Sequence, residues 1–279
     1  MERVDVHGAT LEYAVVGTGE PVVCLHGAFV ADAFQPLLSE PSLADRYRLI
    51  TYHRRGYAGS IRRPGPISIA EQAADCRALL VHLAVERAHV VGHSFGGCVA
   101  LQMALDTPAI VHSLALLEPG LMIGASGQPY RAALAGGEQR YREAEPAVVV
   151  DEFLRARSPG YREPLDRLVP GAFAQAVADA DTWFTAELPS QLAWHFDTAE
   201  ARQIGQPALS VLGGESAVLW DRFGETHRWL LDWLPHAEGV VLPGATHFPQ
   251  IECPRALAQG LAAFFTRHPF PVDSGIAGA

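Results

Sequence analysis

Lysine is absent: every one of the 21 Lys/Arg positions is arginine, set against 31 acidic residues. Without lysine, Schiff-base chemistry and a lysine general base are excluded. The resulting net charge of -10 repels phosphate backbones, so nucleic acid is not an expected partner. Cysteine is scarce. Cys24, Cys76, Cys98 and Cys253 form no C-x-x-C pair and no zinc-ligand spacing, and Cys24 and Cys98 lie in apolar segments that suit small core residues. No apolar run approaches the ~18 residues needed to span a bilayer, so no membrane partner is expected. Met1 to Leu11 lacks a basic stretch followed by an apolar one, and nothing calls for an oxidising compartment; the expected location is the cytoplasm. Internal repeats and low-complexity segments are missing too.

What is present reads as one globular unit. A chain of 279 residues is long enough to bury roughly 75% of its unfolded surface. Its 49% hydrophobic and 19% charged residues exclude disorder. Residues 3–7 and 11–16 alternate around Gly8, which predicts an opening hairpin. Short apolar runs at 21–25, 48–52, 88–92, 111–117, 208–212 and 239–242 lack alternation, as strands buried on both faces do. Between them lie helical patterns: Ile69–Val85 behind the N-cap Ser68, Phe95 to about Leu105, 218–234, and Pro254 to Phe265. This rhythm predicts an α/β fold with a doubly wound, mostly parallel eight-stranded sheet. It breaks between 120 and 206, where helix candidates near 138–157 and 171–187 replace strands. The expected organisation is therefore a core of 1–119 and 207–268, a helical cap of 120–206, and a fraying tail of 269–279.

The sharpest chemical signal is Gly92-His93-Ser94-Phe95-Gly96-Gly97. It matches G-x-S-x-G between a strand and a helix. A nucleophile at Ser94 needs a tight, strained turn, and the small neighbours Gly92 and Gly96 leave room for it. A glycine-rich turn can match the pattern by chance; the strand-turn-helix context speaks against that.

These residues resemble the α/β-hydrolase family, and the resemblance covers most of the chain. His26-Gly27-Ala28 is similar to its oxyanion loop, Tyr52 to Ser60 to its strand-four turn, and Leu242 to His247 to the loop that presents the catalytic histidine. The resemblance implies an oxyanion hole from the backbone N–H groups of Ala28 and Phe95, with His247 as base. By the same resemblance His26 and His93 are structural.

The acid is less direct. Most of the family carries Asp after the strand at 208–212, where this chain reads Gly213-Gly214-Glu215-Ser216-Ala217 and alanine holds the usual position. Two candidates remain, Glu118 and Glu215. Glu118-Pro119 and the stretch Pro243 to Pro249 resemble the zearalenone lactonase group, which places its acid after the preceding strand. In the family's sheet that strand neighbours the nucleophile strand, so Glu118 is favoured and Glu215 is kept as the alternative.

The segment 120–206 is rich in aromatics. Phe153, Trp183, Phe184 and Trp194 are candidates to line a pocket, although packing of the cap onto the core would use the same residues. The expected function is hydrolysis of a carboxylic ester or lactone of a hydrophobic small molecule. The alternatives are a non-hydrolytic or C–C bond-cleaving enzyme on the same fold, or a receptor that retains the triad. The serine speaks against the relatives that use Asp as nucleophile, and the missing lysine against lyases that need one. No cofactor and no metal is implied, and a homodimer is left open.

Overall fold

The computed structural model describes residues 1–271. Eight strands form one sheet: β1 (Glu2–Val6), β2 (Ala9–Val16), β3 (Glu20–Leu25), β4 (Tyr47–Tyr52), β5 (Ala88–His93), β6 (Val111–Leu117), β7 (Ala208–Gly213) and β8 (Ala237–Leu242). Their order is β1-β2-β4-β3-β5-β6-β7-β8, antiparallel at β1-β2-β4 and parallel from there on. The β1–β2 turn has positive φ at both His7 (49°) and Gly8 (72°), which matches the twist of the hairpin.

Strand periodicity explains why the central runs are apolar throughout. Val23, Leu25, Val90, Leu114 and Leu116 pack into the core on one face, and Val22, Cys24, Val91, Ala115 and Leu117 into that on the other. Successive side chains alternate faces and both faces are covered, so apolar residues dominate, and the few polar ones, such as His89 and Ser113, are buried. The helix Ile69–His82 begins at Ser68, whose hydroxyl accepts the Glu71 N–H at 3.0 Å. The helix Phe95–Asp106 follows β5 without a linker beyond Ser94.

The chain between β6 and β7 is helical, with its elements cut differently from the sequence pattern. The expected helix at 138–157 is two, Gly127–Glu143 and Pro146–Arg155. Pro146 has no N–H to continue the first helix and forces Glu145 out of helical geometry (ψ 130°), so the second helix starts on the proline. The expected helix at 171–187 also divides, into Ala172–Ala178 and a π-helical turn, Thr182–Glu187. Near the C-terminus, the tail expected to fray from 269 is bonded at its start. The His268 carbonyl lies 3.0 Å from His112 Nε2, and the Phe270 N–H donates to Glu20 at 2.8 Å. Residues 272–279 of the expected tail lie outside the described residues.

The π turn is tied to the strand-four turn by polar contacts. Arg54, buried, forms an ion pair with the buried Glu187, which also accepts from Tyr57 Oη (2.6 Å) and Gln72 Nε2 (2.9 Å). Thr182 Oγ1 donates to the Gly56 carbonyl at 2.6 Å, and the Ala58 N–H donates to Asp179 at 3.0 Å. A Cβ at Gly56 (φ 92°) would sit 2.4 Å from Thr182 Cγ2, so this turn must be glycine for the helical segment to dock.

Removing one partner of a buried ion pair strands the other charge. Glu187→Ala should therefore cost about 3–5 kcal/mol in urea unfolding. Glu138→Ala, which breaks the exposed pair with Arg142, should cost less than about 1 kcal/mol. Equal costs would show that the Arg54–Glu187 contact does not anchor the segment.

Candidate active site

Ser94 sits at the end of β5 with φ 52° and ψ −116°, a backbone state that side-chain-bearing residues avoid and that stores on the order of 1–3 kcal/mol. The surroundings fix it. The Ser94 N–H donates to the Leu117 carbonyl at 2.9 Å, and the Ser94 carbonyl accepts from Gly97 and Gly120, each at 3.0 Å. A Cβ at Gly92 would meet the Gly96 carbonyl at 2.6 Å. One at Gly96 would meet the Leu25 and His26 carbonyls at 2.2 and 2.5 Å. Close approach of three chain segments thus requires both glycines.

His247 lies in the loop after β8 and is buried. Its Nε2 is 3.0 Å from Ser94 Oγ and its Nδ1 is 2.7 Å from Glu118 Oε2. Glu118 follows β6 directly with φ 43° and takes the Gly213 N–H on its other oxygen at 2.8 Å. A carboxylate only accepts, so it selects the tautomer with hydrogen on Nδ1, leaving Nε2 to accept from the serine hydroxyl. The loop is held by His93, whose Nε2 donates to the His247 carbonyl at 2.7 Å. His26 accepts the Arg54 N–H on Nε2 at 3.0 Å and donates through Nδ1 to the Gly27 carbonyl at 2.8 Å. Both of these histidines therefore hold backbone. Glu215 is exposed and does not reach His247; its backbone N–H donates to Ala245 at 2.9 Å.

Burial dominates the electrostatics. It pushes the Glu118 carboxyl up to about 7, opposed by the Gly213 N–H and the Arg222 charge among others. Burial also holds His247 well below its ordinary value, and the positive charges of Arg222 and Arg157 push the same way. The imidazole is thus a neutral base.

The segment His26-Gly27-Ala28 abuts the serine: a Cβ on Gly27 would lie 3.0 Å from Ser94 Cβ. Ala28 follows on that loop, and Phe95 opens the helix directly after the serine. Three of the four aromatic candidates gather here. Phe153, Trp183 and Phe184 surround Phe29 with ring centroids at 4.8, 5.9 and 5.5 Å, and Trp183 lies 5.6 Å from the Phe95 ring. They line a cavity of about 210 Å³. Trp194 is not brought there. The chain turns extended at Trp194 (ψ 137°), and its ring stacks on Phe196 while Nε1 donates to Gln102 at 2.7 Å.

Three residues were missed. Trp220 lines the same cavity as Arg157, and Arg222 lies over Tyr130, its Cζ 3.6 Å from the ring centroid. Nothing in their local sequence separates these arginines from solvated ones. A surface group of His195, Asp197 and Glu200 has ligand atoms within 4.8 Å of one another, but Asp197 and Glu200 are spent on a helix-capping box.

A profile of the alpha/beta hydrolase family matches residues 22–260. Among curated proteins, the dihydrolipoyllysine-residue acetyltransferase component of an acetoin cleaving system from Pseudomonas putida is 30% identical over 96% of this chain and 70% of that protein. The chain spans about half the length of the next two curated relatives it matches. Among solved structures, an esterase from Thermogutta terrifontis superposes with a TM-score of 0.82 at 21% identity, covering 96% of this chain and all of that one. An enzyme described as degrading N-acyl homoserine lactones gives 0.74 at 26% identity, over 94% of this chain and 100% of its own. Among the described residues, no helix is long and apolar enough to cross a membrane.

With carbon-13 label on glutamate side chains, one carboxyl should titrate near pH 7, far from the ordinary value of about 4.3, and it should vanish from the spectrum of Glu118→Gln. All glutamates titrating below pH 5 would contradict the environment described for Glu118.

Proposed function

The chain belongs to the alpha/beta hydrolase family, and from that premise we propose that it hydrolyses a carboxylic ester or lactone of a hydrophobic small molecule through an acyl-enzyme on Ser94. One observation carries the reading: the continuous hydrogen-bond chain from Ser94 Oγ through His247 to Glu118, at 3.0 and 2.7 Å.

In this reading Ser94 Oγ attacks the carbonyl carbon as its proton passes to His247 Nε2. The carbonyl π electrons move onto oxygen, which the N–H groups of Ala28 and Phe95 stabilise, at roughly 2.7–4 kcal/mol per donor. The tetrahedral intermediate collapses by breaking the bond to the leaving alkoxide, and His247 returns the proton to it. Water, deprotonated by the same nitrogen, then attacks the acyl carbon and releases the acid and Ser94. Glu118 holds the ring and offsets the imidazolium charge that appears twice in the cycle. The aromatic cavity beside Phe29 and Phe95 supports a hydrophobic substrate. For the lactone, support comes from the relative described as degrading N-acyl homoserine lactones and from the acid at Glu118.

Ser94→Ala should abolish ester turnover with the melting temperature little changed, and a serine-directed phosphonate should leave its adduct on Ser94 in the mass spectrum. Turnover close to wild type in the variant would end the covalent mechanism, and a receptor would turn over no ester at all. Glu118→Gln should lower kcat by orders of magnitude, about 10⁴-fold where the acid's role is fully expressed. Glu215→Gln, at an exposed position, should change it little; the reverse ranking would move the acid to Glu215.

The competent site carries Glu118 ionised and His247 neutral. With the carboxyl raised to about 7 and the imidazole lowered, falling pH adds the first proton to the pair near 7. Activity should therefore be full above that pH and lost below it, one proton per site. A kcat/KM profile flat to pH 5 would contradict this.

A further inference from the structure

Arg157 and Arg222 are both buried, at 5% and 3% exposure, and neither forms an ion pair among the described residues. Arg222 donates through Nη1 to the Leu121 carbonyl at 3.3 Å, while its Nε and Nη2 are buried without any acceptor. Arg157 donates through Nη1 to the Phe153 carbonyl at 2.8 Å. Their remaining neighbours are aromatic, and Tyr130 also turns its hydroxyl toward Arg157. Arg157 Cζ lies 3.4 Å from the Phe153 ring centroid, and both guanidiniums stand 5.7 Å from the Trp220 ring. Ring faces offset only part of the cost of taking a cation out of water. Buried, unpaired guanidinium donors in a family of enzymes call for an anion that arrives with the ligand.

The position relative to the reacting groups fits. Arg157 lines the cavity formed by Phe153, Trp183 and Phe184, and Arg222 lines the adjoining one, with Trp220 shared between them. Arg222 Cζ is 4.5 Å from the Phe223 ring, which is itself 4.9 Å from the ring of His247. Charge counting sets the size of the anion. Among the fully buried groups, two guanidiniums against one ionised Glu118, with His247 neutral, leave a surplus of a single positive charge. At the outer mouth Asp221, Glu225 and Arg228 carry one net negative charge, at exposed or half-buried positions where solvent screens it. The Arg140–Glu152 pair at the other rim neutralises itself.

We propose that Arg157 and Arg222 form an anion subsite of this active site and that the ester or lactone cleaved carries a free carboxylate, held by the guanidiniums while the apolar part of the molecule lies against Phe153 and Trp183. The proposal rests on the hydrolase reading for its reaction and on the two unpaired arginines for its substrate class.

The test compares ethyl hydrogen adipate with ethyl pentanoate, which differ by a carboxylate in place of one hydrogen. Calorimetric titration into Ser94→Ala should show the charged ester binding at least about tenfold tighter, as charge-assisted hydrogen bonds in a dry site allow. In wild-type protein, kcat/KM should favour the charged ester by a similar factor. Arg222→Met and Arg157→Met should each collapse that ratio, and added salt should narrow it. Equal binding of the two esters by Ser94→Ala overturns the subsite, whether or not either is cleaved. A ratio unchanged in both arginine variants, each checked by thermal melting, also overturns it. If those variants do not fold, the comparison in Ser94→Ala alone decides. Preferential binding of the charged ester without turnover of either would leave the subsite standing and remove the hydrolase reading instead.

Discussion

The position of the buried Glu118 carboxylate governs most of what surrounds the site. It follows β6 directly, bonds the last residue of β7 through the Gly213 N–H, and fixes the loop after β8 through His247. Three strand ends are thus joined by one side chain. To reach both partners the residue adopts φ 43°, and the following Pro119 packs so tightly on the nucleophile helix that a Cβ on Gly97 would lie 2.7 Å from Pro119 Cβ. The strained serine on one side and the strained glutamate on the other face each other across the Ser94 carbonyl, which accepts from Gly120. Neither conformation is favourable alone; the shared hydrogen bonds over-determine both. With Glu118 in this place, an acid after β7 has nothing left to orient, and Ala217 there is no defect.

Burying that carboxylate has an electrostatic consequence. Desolvation leaves the Glu118 carboxyl at about 7 even after the opposing contacts are counted, so the charge needed to support an imidazolium is only marginally secure at neutral pH. Arg222 acts in the opposite direction on Glu118, and together with Arg157 it also keeps His247 neutral. The two cations therefore favour the same proton distribution from both ends: carboxylate ionised, imidazole uncharged. An anion bound at the guanidiniums would weaken this bias and let the imidazolium form more readily. Substrate arrival and proton transfer are coupled through the same charges.

How much of this was legible in the sequence depended on whether the relevant physics is local. The strands were: burial on both faces leaves apolar runs such as Val22 to Leu25 and Leu114 to Leu117, and the opening hairpin alternates. The turn at Ser94 was, because the crowding of Gly92 against Gly96 is a property of the turn itself, although Gly96 also answers to the distant Leu25 and His26 carbonyls. The adjacency of Glu118 and His247 followed from strand order rather than from any local motif. The break at Pro146 was readable in principle, since proline cannot continue a helix, but the apolar spacing across it concealed the stop. Trp194 lines a different cavity from the other three aromatic candidates, because aromatic content says nothing about direction and a single extended residue turns that ring onto Gln102. Arg157 and Arg222 were invisible. An arginine in a turn or an amphipathic helix looks solvated until the opposite wall is known, and the distant part of that wall is Trp220 against Arg157 and Tyr130 against Arg222.

The same non-local logic sets where the aromatic roof lies. Trp183 and Phe184 do not choose their place by hydrophobic contact alone, since such contacts are non-directional and many packings would bury them equally. They sit inside a π-helical turn whose two ends are polar and anchored, Thr182 on the Gly56 carbonyl and Glu187 on Arg54, Tyr57 and Gln72. Arg54 in turn holds the His26 and Gly27 carbonyls, the latter 3.0 Å from Nη2, and so belongs to the loop beside the serine. One guanidinium therefore registers the roof against the floor. A buried ion pair is a weak source of stability compared with apolar packing, yet it admits few geometries, and that restriction is what a site of fixed dimensions needs. The extra residue of the π turn is the local expression of this demand. With both ends held by directional bonds, the backbone between them takes up the mismatch and turns the two rings inward.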